Sequence, residues 1–129
     1  MKVQQIQRIH GTFLIILASS LAIYSVVAEM TGWGVYGFLQ EMPWGQVGLI
    51  QAYILMALIG LSIITGSKSA VPNKMWNVVG MTAHSAPLIS LALYGYLFIE
   101  IDLANIIGVS LAIHGTWIAI ELFTVAFVH

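Results

Sequence analysis

The chain has 129 residues, 60% of them hydrophobic and only 7% charged, with a mean hydropathy of +0.96. Soluble domains carry about a quarter charged residues, so four Lys/Arg and five Asp/Glu are too few to solvate a compact surface. The net charge of −1 gives no basic patch for nucleic acid, and the lack of cysteine removes disulfides, thiolate metal sites and thiol nucleophiles.

A membrane span needs about 20 mostly apolar residues, and four segments qualify. The first covers 9–28 and opens with "IHGTF" after Lys2 and Arg8. Those two cations suggest a signal peptide. The apolar run is longer than a usual signal core and lacks an A-x-A cleavage site, so a retained first span is expected. His10 lies at its boundary, where an imidazole is at home among wet headgroups. The loop 29–46 carries Trp33, Tyr36 and Trp44 and the turn-like "MPWG", which reads as an aromatic interfacial loop with a short re-entrant segment as the alternative. The second span covers 47–66, with Gln51 as its main polar residue.

After the loop "SKSAVPNK" (67–74), the third span covers 75–99. Trp76 reads as an interfacial anchor and His84 is the span's only ionisable group that titrates near neutrality. Pro87, which lacks an amide donor, predicts a kink near the middle. The tripeptide "EID" (100–102) is so short that spans three and four must form an antiparallel hairpin. The fourth span, 103–128, is interrupted by His114 and Glu121.

Lys2, Arg8, Lys68 and Lys74 all fall on one side of the four spans, and Glu41, Glu100 and Asp102 on the other. The positive-inside rule then places both termini in the cytoplasm, including His129. An all-α integral membrane protein is expected, with four transmembrane helices in one antiparallel bundle. A multi-pass protein of a prokaryotic-type inner or plasma membrane fits that organisation.

Close approach of small residues matters more in lipid than in water. Gly108, Ala112, Gly115 and Ala119 form a smooth stripe on span four. Ala18, Ala22 and Ser25 do so on span one, Ala57 and Gly60 on span two, and Gly80 and Gly95 bracket Pro87 on span three. These stripes are expected to be helix–helix seams.

A second stripe on span four is polar: Ser110, His114, Trp117 and Glu121 follow helical spacing and share one face. Ionisable groups inside spans usually face the bundle interior and are candidates for function. At 1.5 Å per residue, His84 lies about 13 Å from the cytoplasmic face and His114 about 16 Å from the other. In a core of about 30 Å the two histidines share a depth.

Three readings of these residues stay open. His84 and His114 could ligate a b-type haem, or one of them a chlorophyll-like pigment, in the apolar slot of the bundle. Ser110, His114 and Glu121 could form a proton or ion path, although about 10.5 Å between His114 and Glu121 would need bridging waters. The polar groups could also be purely structural. His84, His114 and Glu121 have the types of a two-His, one-carboxylate metal centre. No tight ligand spacing supports one, so no metal is expected. No serine-nucleophile or phosphate-loop motif is present, so catalysis by this chain alone is not expected.

In organisation the chain resembles the small cytochrome-type anchor subunits of membrane oxidoreductases, which are short, have four spans or fewer and hold haem through span histidines. That resemblance implies a small accessory subunit of a larger, redox-linked complex concerned with electron transport, with His84 and His114 as haem ligands. The chain departs from the small multidrug transporters, whose membrane glutamate lies in the first span. Its partners are the bilayer and either other membrane subunits or further copies of itself. The alternative is a homo-oligomeric proton or ion conductor using Glu121 and His114.

Overall fold

The computed structural model describes residues 2–127, so Met1, Val128 at the expected end of span four, and His129 lie outside the described residues. Four long helices account for nearly all of them: α1 (Val3–Thr31), α2 (Pro43–Gly66), α3 (Met75–Glu100) and α4 (Ala104–Phe127). Each is long and apolar enough to cross a membrane, and no strand occurs among the described residues. The chain is an all-helical, multi-pass type of membrane protein.

The largest difference from the expected spans is at the start of α1. It begins six residues before the apolar run, because the polar turn "VQQIQR" is itself helical. Gln5 closes that end, its Oε1 accepting from the Lys2 amide at 3.0 Å while its own N–H donates to the Lys2 carbonyl at 2.9 Å. At the other end, Gly32 takes a left-handed conformation (φ 68°) and its N–H returns to the Ala28 carbonyl. Pro43 opens α2, where its missing N–H removes nothing the helix would use. Between them Gly37–Gln40 form a single 3₁₀ turn that buries Leu39. Trp33 and Trp44 of the same loop stay 69% and 87% exposed, as residues of an interfacial belt do.

The turn from α3 to α4 is tight. Asp102 has φ 58° and the Leu103 N–H reaches the Phe98 carbonyl at 2.7 Å. Pro87 is accommodated inside α3, which continues through it.

α1 packs chiefly on α2 and α3 chiefly on α4, while α1 meets α3 and α4 only sparsely. Where α1 crosses α2, the backbones touch. A methyl group on Gly60 would lie 2.7 Å from the Gly11 carbonyl oxygen, so only glycine permits this approach. Further along α1, Ala18 and Ser25 are buried as the expected seam requires. The smooth stripe of α4 behaves differently. A methyl group on Gly108 or Gly115 would meet no atom within 4 Å, so the stripe faces away from the other helices of this chain. One helix can turn only one side inward. Hydrogen-bonding groups gain more from that side than small apolar ones, since a polar group left in hydrocarbon without a partner is heavily penalised.

Gln4 donates to the Ser69 carbonyl, Arg8 lies against Ser67 and Lys74 Nζ donates to the Val125 carbonyl at 2.8 Å. These contacts gather the amino ends of α1 and α3 and the carboxyl ends of α2 and α4. All four Lys/Arg residues lie at this basic end.

Candidate functional site

A connected set of polar side chains lies a little inside the basic end, built from α1, α3 and α4. Glu121 is fully buried. Its Oε1 is hydrogen-bonded to Nδ1 of His10, and its Oε2 accepts from Nδ2 of Asn77. His10 Nε2 faces His84 Nε2 at 2.7 Å, and His84 Nδ1 faces His114 Nδ1 at 2.7 Å. One carboxyl and three imidazoles thus form an unbroken chain: Glu121, His10, His84, His114. Behind Glu121 a pair of amides continues toward the basic end. Gln7 Nε2 donates to Asn77 Oδ1 at 2.6 Å and to the Asn73 carbonyl at 2.9 Å.

The helices set the order along this chain. Glu121 lies six residues before Phe127, the last described residue of α4, His10 seven from the start of α1, His84 nine from the start of α3 and His114 thirteen before Phe127. At 1.5 Å per residue these are depths of about 9, 10.5, 13.5 and 19.5 Å. The chain therefore runs from near the basic end to well inside the bundle.

Space for His10 is made by Gly80, where an added methyl would lie 2.6 Å from the imidazole Cε1. Trp117 stacks on the ring, with centroids 4.2 Å apart and planes 11° from parallel. His84 meets the edge of His10 rather than its face, with centroids 4.9 Å apart and planes 16° from parallel, as the contact between their Nε2 atoms requires. The indole covers the central imidazole, and its face can stabilise a charge passing through it. Phe13, Ala112, Ile113, Thr116 and Trp117 line an open apolar recess of about 340 Å³ beside this stack.

His84, His114 and Glu121, singled out from the sequence, all belong to one cluster. Ser110 lies one turn beyond His114, half-buried, and the hydrogen bonds do not extend to it. His10 was the residue sequence reasoning misplaced. Expected at a wet boundary, it is fully buried and joins Glu121 to His84. Its position two turns into α1 follows from the helical polar turn before it, and the repeat of "IHGT" at 9–12 and 113–116 was the available signal. Gln7 and Asn77, both fully buried, were also missed, because neither carries a charge.

The donor set does not suit a macrocycle clamped between His84 and His114. Two bonds of about 2 Å to one metal separate their nitrogens by about 4 Å, whereas these nitrogens stand 2.7 Å apart. His84 uses its other nitrogen on His10. Among the described residues no group of three or more His, Asp or Glu is placed to hold a metal ion. Comparison of the chain with family models, with curated proteins and with solved structures finds no match.

Proposed function

We propose that this chain is a one-sided proton relay, a small membrane subunit that carries protons between its basic end and the middle of the bilayer. The observation that supports this most directly is the continuous sequence Glu121–His10–His84–His114. His10 and His84, supplied by other helices, fill the two-turn gap between His114 and Glu121 that would otherwise need water.

Tautomer bookkeeping gives the mechanism. In the loaded state His10 is protonated on both nitrogens and donates to Glu121 and to His84 Nε2. His84 donates from Nδ1 to His114 Nδ1, and His114 holds a proton on Nε2. Loss of that outer proton draws the His84 proton onto His114 and the His10 proton onto His84. The chain is left neutral at His10, one proton poorer, without any side chain crossing the membrane. For reloading, rotation exchanges the donor and acceptor nitrogens of each ring, and one proton from the basic end then passes by way of Glu121 Oε1 to His10 Nδ1. Imidazole suits this task because each ring can accept at one nitrogen while donating from the other near neutral pH.

The relay reading is preferred to haem or pigment ligation because both nitrogens of His84 already face imidazole nitrogens. The polypeptide crosses the membrane as an antiparallel four-helix bundle with both termini in the cytoplasm of a prokaryotic-type cell, so the relay opens on the cytoplasmic side. A path that stops near mid-bilayer needs a neighbour to receive the proton. The outward-facing smooth stripe of α4 favours a partner in the membrane, either another subunit of a larger complex or a second copy.

The test uses the protein extracted from its own membrane together with the polypeptides that stay bound. Reconstituted in liposomes, it carries a proton flux that Glu121→Gln lowers at least tenfold. Equal flux from both, or none above empty liposomes, rejects the proposal. The same preparation shows no Soret or Qy absorption. Either band would mean the imidazole rings are parted by a macrocycle.

A further inference from the structure

We infer that Gln7 and Asn77 are positioning residues that fix the direction of the relay, by holding Glu121 Oε2 as a hydrogen-bond acceptor. The inference rests on the relay reading for its purpose, but its geometry stands by itself. The Asn73 main-chain carbonyl can only accept, so the Gln7 amide facing it must present Nε2. The same Nε2 meets Asn77, which must therefore present Oδ1. Asn77 then has only Nδ2 to offer Glu121, and Oε2 must accept. One backbone carbonyl thus dictates two amide orientations in sequence and ends by keeping a proton off Oε2.

Two features of the cluster agree with this assignment. Gln7 Oε1 is buried and has no hydrogen-bond partner among the described residues, and Gln7 keeps this unfavourable orientation rather than turning its amide over. Oε1 of the same carboxyl faces His10 Nδ1, so the carboxylate form of Glu121 accepts from both sides. In that form His10 donates from Nδ1, and its Nε2 is the nitrogen that passes a proton to His84. Without the amide pair, a proton on Oε2 would neutralise Glu121 and the chain would lose its fixed acceptor end.

The groups facing Glu121 are few. α1 brings His10, α3 brings Asn77 with His84 behind His10, and α2 brings no titratable group to the cluster. Arg8 and Lys74, the nearest permanent cations in sequence, are engaged with Ser67 and the Val125 carbonyl.

Infrared spectroscopy of the protein in lipid tests the inference without measuring flux. The carboxylic-acid band of Glu121 is identified by its loss in Glu121→Gln. The wild type shows no such band at neutral pH. Asn77→Leu removes the donor to Oε2, and the band appears in this variant at neutral pH. Gln7→Met, which frees the Asn77 amide to turn over, shows the same band more weakly. A Glu121 acid band in the wild type at neutral pH overturns the inference, and this measurement needs no variant to fold other than the assignment control. So does the absence of that band from both Asn77→Leu and Gln7→Met. If Glu121→Gln leaves proton flux intact while these bands behave as stated, the relay fails and the positioning role stands.

Discussion

His10 is the joint of the polar cluster: its ring is fully buried and links Glu121 of α4 to His84 of α3. Sequence alone places it at the border of the first apolar run. The misplacement has a physical cause. Hydropathy marks where a helix becomes apolar, not where it begins, and α1 begins at Val3 with a turn rich in glutamine. Once His10 is buried, its ring needs room, and Gly80 supplies it. Gly80→Ala therefore pushes the imidazole off Glu121. In a reversible unfolding assay in detergent this variant loses about 1–3 kcal/mol, the usual penalty of overpacking, and carries markedly less proton flux. A stability equal to wild type would show that the imidazole is not held where the geometry puts it.

At the scale of helices, the positions of all four spans were legible because length and apolarity alone decide what can cross a bilayer. Which side of each helix faces inward was legible only in part. The row Ala18–Ser25 on α1 is buried, but Gly108 and Gly115 on α4 face outward. Two stripes competed for the inside of α4, and spacing gives no ranking between small residues and polar ones. The hydrogen bonds of His114 and Glu121 decide it. This contrast predicts unequal effects of the same substitution. Gly11→Ala places a methyl against the Gly60 carbonyl and destabilises the α1–α2 crossing by about 1–3 kcal/mol. Gly115→Ala changes the unfolding free energy of the single chain by no more than about 0.5 kcal/mol, measured in the same detergent assay. Matching losses at the two sites would mean that α4 packs the other way round.

For the whole molecule, α1, which meets α3 and α4 only sparsely, is joined to them by one polar cluster near the basic end. The sequence made the ingredients of that cluster visible but not their connection. The groups that complete it come from positions 7, 10, 77 and 84, on helices other than that of Glu121, and no periodicity within one helix reports such a meeting. Orientation can be read chemically because the chain lacks cysteine. With Ser69→Cys, an impermeant maleimide labels only from the cytoplasmic side. With Met42→Cys it labels only from the opposite side, and the reverse pattern would invert the relay. The central claim is that Glu121, His10, His84 and His114 act as one hydrogen-bonded chain. It is tested most directly by solid-state NMR of ¹⁵N-histidine protein in bilayers, comparing the wild type with Glu121→Gln. The expected result is a change in the ring nitrogens of all three histidines, including His114, two helical turns from the substitution. Shifts confined to His10, with His84 and His114 unmoved, would contradict it.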